Sequence, residues 1–117
     1  MSLRNNLYHT AGDGFTVRFH AQHPVFGGHF PGNPIVPGAC LVQIAEELLA
    51  DHLGTPVAFT AVRNLKFRRP VTPDMVVTFT FQPSAKSPDT CIIQLLTHNE
   101  TDAEFTATYM CTHSDLQ

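Results

Sequence analysis

The stretch Gly28-His29-Phe30-Pro31-Gly32-Asn33-Pro34-Ile35-Val36-Pro37-Gly38, running directly into Ala39 to Leu53, decides how the rest of the chain is read. Three prolines fix much of the backbone of its first part. Three glycines supply the bends and permit close backbone approach. A loop this stiff holds one side chain still, and that side chain is His29. The second part reads as the one long helix. Leu41, Ile44, Ala45, Leu48 and Leu49 recur at spacings of three and four and form an apolar stripe. Gln43, Glu46, Glu47 and Ala50 lie on the opposite side. Gly54 stops the helix and Pro56 prevents its resumption. The loop therefore opens on a helix N-terminus at Gly38-Ala39, where free N–H groups carry partial positive charge.

On the N-terminal side of the loop, residues 15–21 alternate Phe15, Val17 and Phe19 against Thr16, Arg18 and His20, a half-buried strand. Beyond the helix everything reads as strand: Val57 to Phe67, Val76 to Phe81, Cys91 to Thr97 and Phe105 to Cys111. Turn-rich segments at 70–74, 83–89 and 98–102 separate them. Short connections between consecutive strands imply an antiparallel sheet of about five strands. One helix lies against that curved sheet, an α+β architecture in two layers. The open edges of such a sheet favour dimerisation through an edge strand.

Composition narrows the class. With 117 residues the chain is a single domain, residues 1–117, with 1–14 an N-terminal segment free to flex. It is 43% hydrophobic and 15% charged, which is globular rather than disordered. A net charge of −3 excludes a general nucleic-acid binder. No apolar run approaches the roughly 18–20 residues of a membrane span. The N-terminus lacks the apolar core of a signal peptide. Cys40, Cys91 and Cys111 are odd in number and widely spaced in apolar surroundings. They read as buried thiols of a reducing cytoplasm rather than a disulfide frame.

GHFPGNPIVPG followed by a helix resembles the active-site segment of the β-hydroxyacyl-(acyl carrier protein) dehydratases of fatty-acid synthesis. LKFRRPVTPD, over residues 65–74, is similar to that family's second signature. The two segments stand in the family's order and at similar separation, so the resemblance covers roughly residues 15–112. It implies the hotdog fold, an antiparallel sheet wrapped around one long central helix. It also implies a homodimer, or a higher assembly of dimers, with active sites at the subunit interface. The substrate is then an acyl-pantetheine in an apolar tunnel. In one respect the chain departs from the family. The fifth residue after the Pro-Gly glycine is there an acid that partners the histidine, and here it is Gln43. One turn later the family often has glutamine, and here Glu47 stands in that place.

Dehydrating a 3-hydroxyacyl thioester to the trans-2-enoyl thioester needs a base for the α-proton, a donor for the enolate-like oxygen and an acid for the leaving hydroxyl. His29, with a reference pKa near 6.5, suits the base. The Gly38 N–H suits the thioester oxygen, with Phe30 and Pro37 as substrate-binding neighbours. Gln43 does not titrate near neutrality and can only orient. Glu47 lies on the same helical face, where an apolar tunnel would raise its pKa into the range of a general acid. Arg63, Lys66, Arg68 and Arg69 fall close together and suit an acidic carrier protein and the phosphate of its arm. His20, His23 and His29 have no carboxylate or cysteine at ligand spacing, so neither a metal nor a cofactor is expected. Cys40, in the first helical turn, is either a favoured thiolate or, more simply, a small packing residue. Three functions follow: a cytoplasmic dehydratase of fatty-acid, polyene or lipid assembly, taking acyl carrier protein or coenzyme A thioesters; a hotdog thioesterase; or a non-catalytic acyl-carrier binding protein, given Gln43.

Overall fold

The computed structural model describes residues 2–28, 32 and 34–112. His29 and Phe30 lie outside the described residues. The elements are β1 (Tyr8–Ala11), β2 (Thr16–Phe19), α1 (Val25–Gly28), α2 (Gly38–Leu53), β3 (Val57–Phe67), β4 (Val76–Pro83), β5 (Thr90–Thr97) and β6 (Glu100–Cys111). The strands form one antiparallel sheet in the order β1-β2-β4-β5-β6-β3. The sheet thus has one strand more than expected. The extra strand is β1, in the stretch read as an N-terminal segment, and Leu7 and Tyr8 there are completely buried.

The apolar stripe of α2 is the core of the molecule. Leu41, Ile44, Ala45, Leu48 and Leu49 are buried. They join the inward residues of the strands: Val17 of β2, Val77 and Phe79 of β4, Ile93 and Leu95 of β5, Ala103 and Phe105 of β6. The helix ends as its sequence requires. Gly54 takes a left-handed conformation with φ 71°, and its N–H caps the Ala50 carbonyl.

Two local features depart from simple alternation. The β5–β6 connection is only His98-Asn99, with φ 52° and 67°, the two left-handed residues of a tight hairpin. So β6 begins at Glu100, inside what the turn signals suggest is loop. The β5–β6 register then slips between Leu95 and Leu96, whose partners are Ala103 and Thr101. This bulge skips Asp102 and turns it inward. Asp102 and Ala103 are consecutive yet both buried.

β3 is the sheet's long edge. It carries two register irregularities, at Phe59/Ala61 and Arg63/Lys66, with Asn64 at φ 57° in the second. Val62, Leu65 and Phe67 are exposed along it. The cysteines are free. Cys91 is buried and Cys40 half-buried, but Cys111 is exposed at the end of β6, so the expectation of three buried thiols fails there.

Candidate functional site

Residues 34–37 lead directly into the start of α2. Pro37 is its N-cap, at φ −59° and ψ 141°, and makes no side-chain cap. Its carbonyl accepts the first helical bonds from Cys40 and Leu41 N–H at 3.0 and 3.2 Å. Proline offers no oxygen to the leading N–H groups, unlike the serine or aspartate usual at this place. The loop is tied to the segment after β3 by the Val36 N–H, which donates to the Val71 carbonyl at 2.7 Å. Between loop, helix and segment lies an apolar pocket of about 190 Å³, lined among others by Val36, Gly38, Leu41, Phe67 and Val71. Gly38 and Pro37, candidate substrate-binding residues, both line it.

Gln43 and Glu47 occupy the same face of α2 one turn apart. The Gln43 side-chain nitrogen donates to Glu47 Oε2 at 3.0 Å. Glu47 also accepts from the Leu3 N–H at 2.8 Å, the Arg4 N–H at 3.1 Å, the Tyr8 hydroxyl at 2.8 Å and the Ser2 hydroxyl at 3.4 Å. Its two oxygens are therefore taken up as acceptors. Burial first, and then the hydrogen bond to Glu47, push the Tyr8 hydroxyl pKa well above its usual value. The neighbouring Glu46 accepts from the Phe59 N–H of β3 at 2.8 Å. The two consecutive glutamates thus grip separate parts of the chain, one the N-terminal turn and one the edge strand. Neither is a simply solvated helix residue.

The bulged Asp102 is a residue that sequence reasoning missed. Its side chain is completely buried. It pairs with the Arg69 guanidinium at 2.5 Å and accepts a hydrogen bond from the Thr97 hydroxyl. Its main-chain carbonyl accepts from the N–H groups of Arg68 at 2.7 Å and Arg69 at 3.2 Å. Arg69 reaches Glu100 as well, at 2.8 Å. An apolar–polar count gives no warning of Asp102, because a bulge is what points it inward.

This clamp divides the four clustered cations. Arg69 lines the apolar pocket and is already neutralised by two carboxylates. Arg63 and Lys66 stand opposite Thr106 and Glu104, outward-facing positions of β6, on the sheet face turned away from α2. Arg63, Lys66 and Arg68 make no ion pair among the described residues. Burial pushes the Cys40 thiol upward, the direction opposite to a thiolate. Of the histidines, His20 lies 2.9 Å from His9 and bonds the Asn6 carbonyl at 2.9 Å. His23 accepts from the Val25 N–H at 3.1 Å. Among the described residues no group of three metal-ligating side chains comes together, and no helix is long and apolar enough to cross a membrane.

Comparison with known proteins adds relatives to this geometry. Residues 11–108 match the family described as ApeI-like, ApeI dehydratase. The chain is 34% identical over 82 residues to the 3-hydroxyacyl-(acyl-carrier-protein) dehydratase FabZ of Ehrlichia ruminantium, an alignment covering 62% of this chain and 57% of that protein. It is 42% identical over 59 residues to the protein of that name from Acetivibrio thermocellus, covering 44% of this chain and 40% of that one. The chain thus spans about half the length of the curated relatives it matches. Among solved structures, the dehydratase heterocomplex ApeI:P from Xenorhabdus doucetiae superposes with a TM-score of 0.70 at 18% identity, over 83% of this chain and 84% of that one. The E. coli PaaI protein gives 0.58 at 18% identity, over 91% and 78%. These likenesses establish the α+β hotdog fold.

Proposed function

Because the chain belongs to the ApeI-like dehydratase family, we propose that it removes water from a 3-hydroxyacyl thioester to give the trans-2-enoyl thioester. The observation that carries this reading is the arrangement at the start of α2: a helix end without a side-chain cap, an apolar pocket beside it, and Gln43 held in one orientation by Glu47.

His29 takes the α-proton. The Gly38 N–H steadies the oxygen on which charge then develops, with Pro37 and Phe30 beside the bound thioester. The bond from carbon to the 3-hydroxyl breaks as the double bond forms. That hydroxyl needs a proton, and the Gln43 amide has none to give. Glu47 is poorly placed to give one, since both its oxygens accept hydrogen bonds from the N-terminal turn, Tyr8 and Gln43. The imidazolium of His29 therefore returns the proton it took, and water leaves. Gln43 orients the hydroxyl for this transfer. Glu47 is a positioning residue, replacing the acid role its spacing suggests.

The thioester arrives on the pantetheine arm of an acyl carrier protein or on coenzyme A, in the cytoplasm, for fatty-acid, polyene or lipid assembly. Arg63, Lys66 and Arg68 are the cations left to meet an acidic carrier, since Arg69 is clamped by Asp102 and Glu100. A homodimer joins two β3 edges, which are long and carry exposed apolar residues. A second reading, a non-catalytic acyl-carrier binder, is favoured by the amide at position 43. Incubation with a 3-hydroxyacyl thioester separates the readings. New enoyl absorbance identifies the dehydratase, free thiol identifies a thioesterase, and binding without either product identifies the binder.

A further inference from the structure

An aromatic ring lies on the first residue of α2. A side-chain carbon built on Gly38 would stand 2.8 Å from Phe67 Cζ and 3.1 Å from Cε2. Only glycine at position 38 lets the ring lie so close to the helix backbone. Phe67 is the last residue of β3, and its partner across the sheet is Ala103, small and completely buried. The ring therefore lies against Gly38, and its cross-strand neighbour is small. It is nevertheless 48% exposed and forms one wall of the 190 Å³ pocket. The backbone that follows is held firmly. The Arg68 and Arg69 N–H groups donate to the Asp102 carbonyl, and the Arg69 guanidinium is paired with the buried Asp102 carboxylate. The backbone is therefore fixed while the ring is open on its outer side. Trimming that ring changes the pocket without moving its frame.

We propose that Phe67 sets the acyl-chain length accepted at this site, admitting a short 3-hydroxyacyl chain and excluding a long one. The inference rests on the dehydratase reading for the nature of the substrate. The pocket adjoins Gly38, so a thioester held at the helix start directs its acyl chain past the Phe67 ring. A volume of 190 Å³ corresponds to about six water-sized groups, which suits a short chain. Each further methylene that finds a buried place is worth roughly a fourfold preference, so two give more than tenfold.

The test uses 3-hydroxybutyryl and 3-hydroxydecanoyl thioesters of N-acetylcysteamine, together with their unreactive thioether analogues. The kcat/KM ratio is measured with the first pair and the Kd ratio with the second. Wild type favours the short chain in both. Phe67→Ala moves both ratios at least about tenfold toward the long chain, and Phe67→Leu moves them less in the same direction. Ratios that stay unchanged in variants with native melting curves overturn the proposal. If Phe67→Ala does not fold, Phe67→Leu decides. If wild type binds the analogues without turning over either thioester, dehydration is wrong, while the Kd ratios still decide the role of Phe67. If it neither binds nor turns over either chain, both readings fall.

Discussion

The Gln43 side chain donates to the Glu47 carboxylate across one turn of α2, at 3.0 Å. The pair reverses the order of acid and amide that the dehydratase signature implies. The reversal also changes what each residue can do. An amide fixed by a carboxylate can orient a neighbouring group but transfers no proton. A carboxylate that also accepts from Leu3, Arg4 and Tyr8 holds the N-terminal turn against the helix.

Glu47→Gln therefore acts first on stability. It removes charge-assisted bonds from two main-chain N–H groups and a buried hydroxyl, a loss of about 2 kcal/mol in denaturant unfolding. The dehydration rate falls by less than the 10²-fold or more typical of losing a general acid. Gln43→Glu sets two carboxylates one turn apart and weakens both fold and activity. A loss in kcat beyond about 10²-fold in Glu47→Gln, with unfolding unchanged, would return the acid role to Glu47.

His29→Ala is expected to leave the melting temperature near wild type, because the sequence assigns the stiffness of this stretch to Pro31, Pro34 and Pro37 rather than to the histidine. Turnover should drop by more than the 10²–10⁴-fold range assigned to a single acid–base group, since in the proposed mechanism one imidazole moves the proton twice. Steady-state assays on the purified variant check this. Activity within about tenfold of wild type removes His29 from the mechanism.

Much of this architecture was legible in the sequence. The three-and-four spacing of Leu41, Ile44, Ala45, Leu48 and Leu49 reports a helix buried on one side, and Gly54 with Pro56 marks its end. Alternation in β4 and β6 reports which strand face is inward. What escaped was structure that breaks alternation. β1 is short and its buried Tyr8 satisfies its hydroxyl through Glu47, a contact between residues far apart in the chain. Asp102 is inward only because a bulge shifts the register around it. Charge clustering at 63–69 showed that cations were adjacent, but not that Arg69 alone turns to a buried carboxylate.

The β3 edge predicts a homodimer. An eleven-residue edge strand with Val62, Leu65 and Phe67 exposed invites pairing with an identical strand. Light scattering at micromolar concentration should give twice the chain mass. Val62→Lys should shift the equilibrium toward monomer. A wild-type monomer under these conditions contradicts edge pairing.

Alkali should reveal the two tyrosines, Tyr8 and Tyr109, the only ones in the chain. Both hydroxyls are raised above their usual value near 10, each chiefly by burial; the Glu47 hydrogen bond adds to the shift at Tyr8, and Cys91 to that at Tyr109. Between the ordinary and the raised value the folded state holds more protons than the unfolded chain. Their contribution to stability is therefore complete below pH of about 10 and is lost as pH rises further. Tyrosinate absorbance should stay low in the native protein above pH 10, then rise together with loss of circular dichroism. Tyr8→Phe should lessen the steepness of that alkaline loss. Free titration of both tyrosines near pH 10 in the folded protein would show that neither is shielded.

Asp102 should be the most sensitive polar position outside the proposed chemistry. It is a completely buried carboxylate whose charge is met by Arg69 at 2.5 Å, with the Thr97 hydroxyl as a further donor. Removing one partner of a buried pair costs about 3–5 kcal/mol, because the other is left uncompensated. The two single variants should then differ. Asp102→Asn leaves Arg69 half in water and still paired with Glu100, so its loss falls at or below the lower end of that range. Arg69→Met strands the buried carboxylate and should cost more. The double variant Asp102→Asn with Arg69→Met removes both charges together and should be more stable than Arg69→Met alone. Thermal unfolding of the four proteins gives the coupling directly. Additive losses would mean that the two charges do not depend on each other and that the bulge, rather than the ion pair, fixes the segment between Phe67 and Val71.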